Sequence, residues 1–123
     1  MPSTSPAAPA WVHLDIARAL EQTGDDEALR TMLPMLQELL ERNVPQITEL
    51  VAALDVRAAS HLLHSLKGVL PIFCTSDLCT HLAQVEQMSK TGEGPAVGDA
   101  FAAVQPKLQG LQVEIAQYLA QPR

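Results

Sequence analysis

Between residues 29 and 54 the apolar side chains recur three and four positions apart: Leu29, Met32, Leu33, Leu36, Leu39, Leu40, Val44, Ile47, Leu50, Val51 and Leu54. That spacing is the period of one face of an α-helix. No segment alternates apolar and polar residues, so no strand is expected to bury one face of a sheet. The pattern predicts a helix of about 28 residues, opened by Asp25 and Asp26, since carboxylates favour a helix N-terminus. Pro34 and Pro45 lie inside it. Each removes a backbone donor and is expected to kink or split the helix.

The same period marks out the other elements. Val12, Leu14, Ile16, Ala19 and Leu20 predict a short first helix, ended by Thr23 and Gly24. Asp55 is the expected N-cap of a third helix over roughly 56–73. Thr75 or Ser76 caps a fourth, with Leu78, Leu82, Val85 and Met88 on its apolar side, running through about Lys90. The glycines and proline of SKTGEGPAVGD predict a loop. A last helix is expected from about Asp99 to Ala120, with Pro106 and Gly110 as weak points. Residues 1–10, rich in proline, serine and alanine, read as a flexible tail or linker. The expected architecture is all-α: an antiparallel four-helix bundle with a short additional N-terminal helix, one domain over residues 11–123.

Composition narrows the function. The chain is 47% hydrophobic but only 3% aromatic, which leaves a core of Leu, Val, Ile, Ala and Met. Its net charge of −6 makes it a poor partner for nucleic acid, which needs clustered Lys and Arg. No run of about 18 apolar residues is present, so no direct membrane insertion is expected. The start, MPSTSPAAPA, lacks a charged leader and an apolar run and does not read as a secretory signal. Cys74 and Cys79 make no disulfide framework, and a reducing cytoplasm is the expected location. There is no glycine-rich phosphate loop and no paired-carboxylate site, which argues against a hydrolase or a nucleotide-using kinase.

The third helix carries the most informative residues. On a wheel of about 100° per residue, Ala59, Leu62, Leu66, Leu70 and Phe73 cluster opposite His64. Val69 and Leu63 flank that stripe. His64 therefore faces water, and Arg57, Ser60, His61, Lys67 and Gly68 share its face. A glycine inside a helix costs about 1 kcal/mol relative to alanine and needs a reason. Here it clears space beside the imidazole. Lys67, three residues on, reaches the same space with a flexible ammonium. An exposed nucleophile, a clearing and a positive charge suit a phosphoryl group carried on imidazole nitrogen, because phosphoryl transfer depends on positioning and on neutralising oxygen charge.

The five residues HSLKG, 64–68, resemble the core motif of histidine-containing phosphotransfer (HPt) domains. LDIARAL and TGDDEALRTML resemble the opening of such domains, and LCTHLAQVE resembles their return helix, with Glu86 at its acidic or amide position. The likeness in helix order spans about residues 12–120. It implies a four-helix bundle that carries a phosphoryl group on His64 between receiver-domain aspartates in a multistep His–Asp relay. It implies no kinase activity of the chain's own. Lys67 would stabilise the phosphoryl oxygens, Gly68 would give steric clearance for docking, and Glu86 would orient the imidazole. Arg57, Ser60, His61 and Pro71 would ring the docking surface. The partners implied are response-regulator receiver domains and, if the chain belongs to a larger protein, a hybrid histidine kinase that could tether it to the inner membrane. No cofactor is implied; the Mg²⁺ of the transfer belongs to the receiver.

Four residues depart from the family pattern. Cys74 stands where the family often has glycine, Pro71 interrupts KGVLPIFC, and Met35 and Leu36 stand where the family favours phenylalanine. Pro71 lacks the amide that would bond to the carbonyl of Lys67, so a distortion is expected just past the active face. Pro71 and Cys74 favour the rival reading, a helical interaction module that keeps the fold without the relay. A metal-binding bundle is a second rival, since His61, His64, Cys74, Cys79 and His81 follow in sequence. Their spacings match no compact zinc motif, and no metal site is expected.

Overall fold

The computed structural model describes residues 11–122, so the tail expected over 1–10 lies outside it. Five helices follow in order: α1 (Ile16–Thr23), α2 (Asp26–Ala52), α3 (Val56–Val69), α4 (Ser76–Thr91) and α5 (Gly94–Ala120), with a 3-10 turn at Leu70–Ile72 after α3. α2 packs on α3 and α5, and α4 packs on the same two helices, which closes a ring of four. Short connections make consecutive helices antiparallel. α1 leans on α2 and on the 3-10 turn. The architecture is the expected all-α bundle with an additional N-terminal helix.

The side chains at the i, i+3, i+4 positions of α2 form its share of the core: Leu29, Leu33, Leu36, Leu40, Val44 and Ile47 are buried. Leu63, Leu66 and Leu70 meet them from α3 and the 3-10 turn, Leu78, Leu82 and Val85 from α4, and Phe101, Val104, Leu108, Leu111 and Ile115 from α5. Such burial is the main favourable contribution to folding. On α3 the stripe is shifted from the wheel's expectation. Leu63 is fully buried and Leu62 only half-buried, because α3 packs against α4 as well as α2.

Pro34 and Pro45 do not split α2, which runs unbroken over 27 residues. Both prolines are exposed, so the carbonyls they leave unpaired lie on the solvent side, where water can satisfy them. The end of α2 is a Schellman turn: the amide of Leu54 donates to Val51 O at 3.1 Å and that of Asp55 to Leu50 O at 2.8 Å. Such a turn needs a left-handed residue at Leu54, which has φ 61°; a leucine stands where glycine is usual.

Two boundaries differ from the sequence expectation. α5 begins at Gly94 rather than near Asp99, leaving only Gly92 and Glu93 between α4 and α5. Pro95 falls in the first turn, where its missing amide would have no helical partner anyway. Gly92 is required there, because a Cβ would sit 2.6 Å from Met88 O.

At the other end, α1 begins at Ile16 and not at Val12. Residues 12–14 form a strap instead. Their three backbone amides converge on the buried carboxylate of Glu114: Val12 N and Leu14 N donate at 3.0 and 2.9 Å, and His13 N at 2.9 Å. Leu14 pairs with Cys74 in an isolated antiparallel bridge, Asp15 N donates to Phe73 O and Thr75 N to His13 O. Trp11 packs edge-on against Tyr118, ring centroids 5.8 Å apart. Asp15 then caps α1, accepting from Arg18 N.

Candidate functional site

Asp55 starts α3 by accepting from Ala58 N. With Leu63 and Leu66 fixed in the core, the helical period turns His64 outward, and 69% of its side chain is exposed. Arg57, His61 and Gly68 are exposed on the same face, and Ser60 and Lys67 half-exposed. Nothing lies within 4 Å of a Cβ built on Gly68. The clearing is therefore real space.

α4 supplies the group beneath. Leu82, Val85 and Glu86 all fall on its buried side, so packing of α4 on α3 places a carboxylate under the imidazole. Glu86 is 1% exposed, although it lies just under the surface beneath two half-exposed lysines. Three basic groups surround it. His64 Nδ1 is 3.6 Å from Oε2, Lys67 Nζ donates to Oε1 at 3.1 Å, and Lys90 Nζ is 2.9 Å from Oε2. Oε2 accepts no well-aligned hydrogen bond, so Lys90 acts on it through charge. Burial by itself would raise the Glu86 pKa. The contacts from Lys90 and Lys67 outweigh it and hold the carboxyl below its ordinary value.

The carboxylate has one further consequence for His64. Nδ1 is the nitrogen that faces it, so a proton held there would leave the Nε2 lone pair free for a reacting group. The site thus presents an oriented nucleophile with two ammonium groups and open space beside it.

Of the residues singled out from sequence, His64, Lys67, Gly68 and Glu86 come together. Ser60 and His61 line the depression around His64, and Arg57 lies one turn back, in a depression that adjoins it. Pro71 is exposed past the end of α3, inside the 3-10 turn. The expected distortion takes this form: the α-helix stops at Val69, beyond His64, and the active face keeps regular helix. Cys74 is fully buried, and burial foremost, then the Cys79, Glu114 and Asp15 charges, push its thiol pKa up. Cys79 is half-buried, its pKa also raised by burial against a lowering from Arg18. Neither thiol is poised as a nucleophile. Among the described residues no group of three or more His, Cys, Asp or Glu converges to hold a metal ion, and no helix is long and apolar enough to cross a membrane.

Two residues escaped the sequence reading. Lys90 completes the basic ring around Glu86, and the i, i+4 spacing of Glu86 and Lys90 was its signal. Glu114 left no signal, because its partners are backbone amides about a hundred residues away. No protein-family model, curated protein or solved structure matches the chain.

Proposed function

We propose that this chain is a histidine phosphotransfer domain and that His64 carries the phosphoryl group between receiver-domain aspartates. The observation that carries the reading is the exposed His64 imidazole with Nδ1 turned to the buried Glu86 carboxylate, beside the clearing at Gly68. In the transfer, the Nε2 lone pair attacks the phosphorus of an aspartyl phosphate on the partner. The N–P bond forms, and the P–O bond to the aspartate breaks with its electron pair, regenerating the partner's carboxylate. The proton on Nδ1 stays in place. The ring then bears positive charge next to Glu86, which stabilises it. Lys67 turns from Glu86 to the phosphoryl oxygens, and Lys90 is close enough to share that task. Mg²⁺ belongs to the receiver, and the chain needs neither nucleotide nor cofactor of its own.

The test is transfer from a receiver domain bearing labelled phosphate. An acid-labile, alkali-stable label should appear on the chain and be absent from His64→Gln, which stays folded because the side chain is exposed. Labelling of His64→Gln would overturn the assignment. Absence of label from several receivers, with binding that survives His64→Gln, would replace it with the interaction module.

A further inference from the structure

A second polar depression adjoins the one around His64. It lies between the first turns of α3 and the last turn of α4, holds about 380 Å³, and is lined by Val56, Arg57, Ser60, His61, Ser89 and Lys90. Ser60, His61 and Lys90 line both depressions, so the two are continuous. Its charge is opposite to that of the chain. The net charge is −6, yet no carboxylate lines this cup. Two acidic groups of the neighbouring depressions are already engaged. Glu86 is shared by Lys67, Lys90 and His64, and one carboxylate against two ammonium groups leaves a positive surplus. Asp55 accepts from Ala58 N and lines the depression on the far side of Arg57. Among the described residues Arg57 has no ion pair and the Ser60 hydroxyl no hydrogen-bond partner. The Ser89 hydroxyl is committed to Glu86 O at 2.5 Å, so it shapes the wall without offering its proton.

We propose that this cup is a binding subsite for a phosphate group, held by the Arg57 guanidinium, the Lys90 ammonium and the Ser60 hydroxyl, with His61 at its rim. A guanidinium offers a planar fork that engages two phosphate oxygens, and an ammonium adds a point charge from a second direction. No Phe, Tyr or Trp lines the cup for a base to stack on, so it suits a phosphate group better than a nucleotide. Occupancy reaches His64 through Lys90. An anion that draws this ammonium outward leaves Glu86 Oε2 facing His64 Nδ1 alone. The proposal does not depend on the relay reading: Lys90 serves in both, but binding of phosphate needs no transfer to His64.

Titration of the whole chain with inorganic phosphate at pH 7, at ionic strength held constant with chloride, tests it by ¹H–¹⁵N NMR. Saturable shifts should centre on the amides of Ser60, His61, Ser89 and Lys90. Arg57→Ala and Lys90→Gln, both at exposed positions, should each weaken binding about tenfold, the loss of one charged hydrogen bond. His64→Gln should bind as the wild type does. Shifts that never saturate, or an affinity unchanged in Arg57→Ala, would overturn the subsite. A loss of binding in His64→Gln would place the anion on His64 instead and overturn it equally. Failure of the relay assay leaves all these readouts standing.

Discussion

His64 Nδ1 stands 3.6 Å from Oε2 of Glu86, and this pair joins an exposed ring on α3 to a carboxylate that is 1% exposed on α4. Neither residue makes a site alone. Together they put a buried negative charge beside the Nδ1 edge of an exposed ring, which is the feature the proposed phosphoryl carrier would use.

The same carboxylate predicts a pH dependence. Its folded pKa lies below its ordinary 4.5, because the contacts from Lys90 and Lys67 outweigh burial. A depressed carboxylate contributes stability that is fully present above the unfolded value and is lost as pH falls through the folded one. Glu86→Gln should therefore be less stable than wild type at pH 7, and the gap in urea midpoint should close on the acid side of pH 4.5. A gap that stays constant from neutral pH to below that value would show that the ion cluster contributes nothing.

Glu114 holds the strap by three amides. Glu114→Ala removes the acceptors and leaves the buried Leu14 amide unsatisfied, while those of Val12 and His13 are only part-buried; an unsatisfied buried group costs roughly 1–3 kcal/mol. Thermal melting should show a lower Tm, and hydrogen exchange should show residues 12–14 losing protection before the α2–α5 bundle. Protection retained by the strap would mean that its bridge to Cys74 suffices.

Gly68 separates stability from access. Gly68→Ala should stabilise the chain by about 1 kcal/mol, since alanine is the better helix former and the added Cβ meets nothing. Gly68→Gln should fold as well, and under the proposed relay function it should weaken receiver binding by filling the clearing. Receiver affinity unchanged in Gly68→Gln, measured by calorimetry, would remove Gly68 from the docking surface.

Leu54 is in the left-handed region, φ 61°, where an L side chain costs roughly 1–2 kcal/mol. Its side chain is exposed, though it covers Gly94. Leu54→Gly should leave stability unchanged or raise it by up to about 1 kcal/mol, against the usual loss on introducing glycine. A fall of more than about 1 kcal/mol in urea denaturation would assign the contact with Gly94 a larger role than the backbone strain.

The sequence by itself determined the helices of this protein. The three-and-four spacing of residues 29–54, the caps at Asp25, Asp55 and Thr75, and Gly24 at the end of α1 are local signals, and local hydrogen bonds and a helix's own apolar face obey them. The outward face of α3, with His64, Lys67 and Gly68, was legible for the same reason. Its exact buried arc was not, because α3 packs against both α2 and α4, and there Leu63 is buried while Leu62 is only half-buried. Pro34 and Pro45 looked like breaks, but tertiary packing left both on the solvent side, where a missing bond is tolerated.

Tertiary structure decided the contacts beneath His64, since Glu86 entered the sequence reading through the family resemblance alone and Lys90 not at all. Lys67 and Lys90 meet at Glu86 because α3 packs on α4, and the strap docks because Glu114 projects from α5 toward residues 12–14. Long-range charge contacts and amide-to-carboxylate bonds have no period along the chain. They exist only once packing has brought distant residues within a few ångströms.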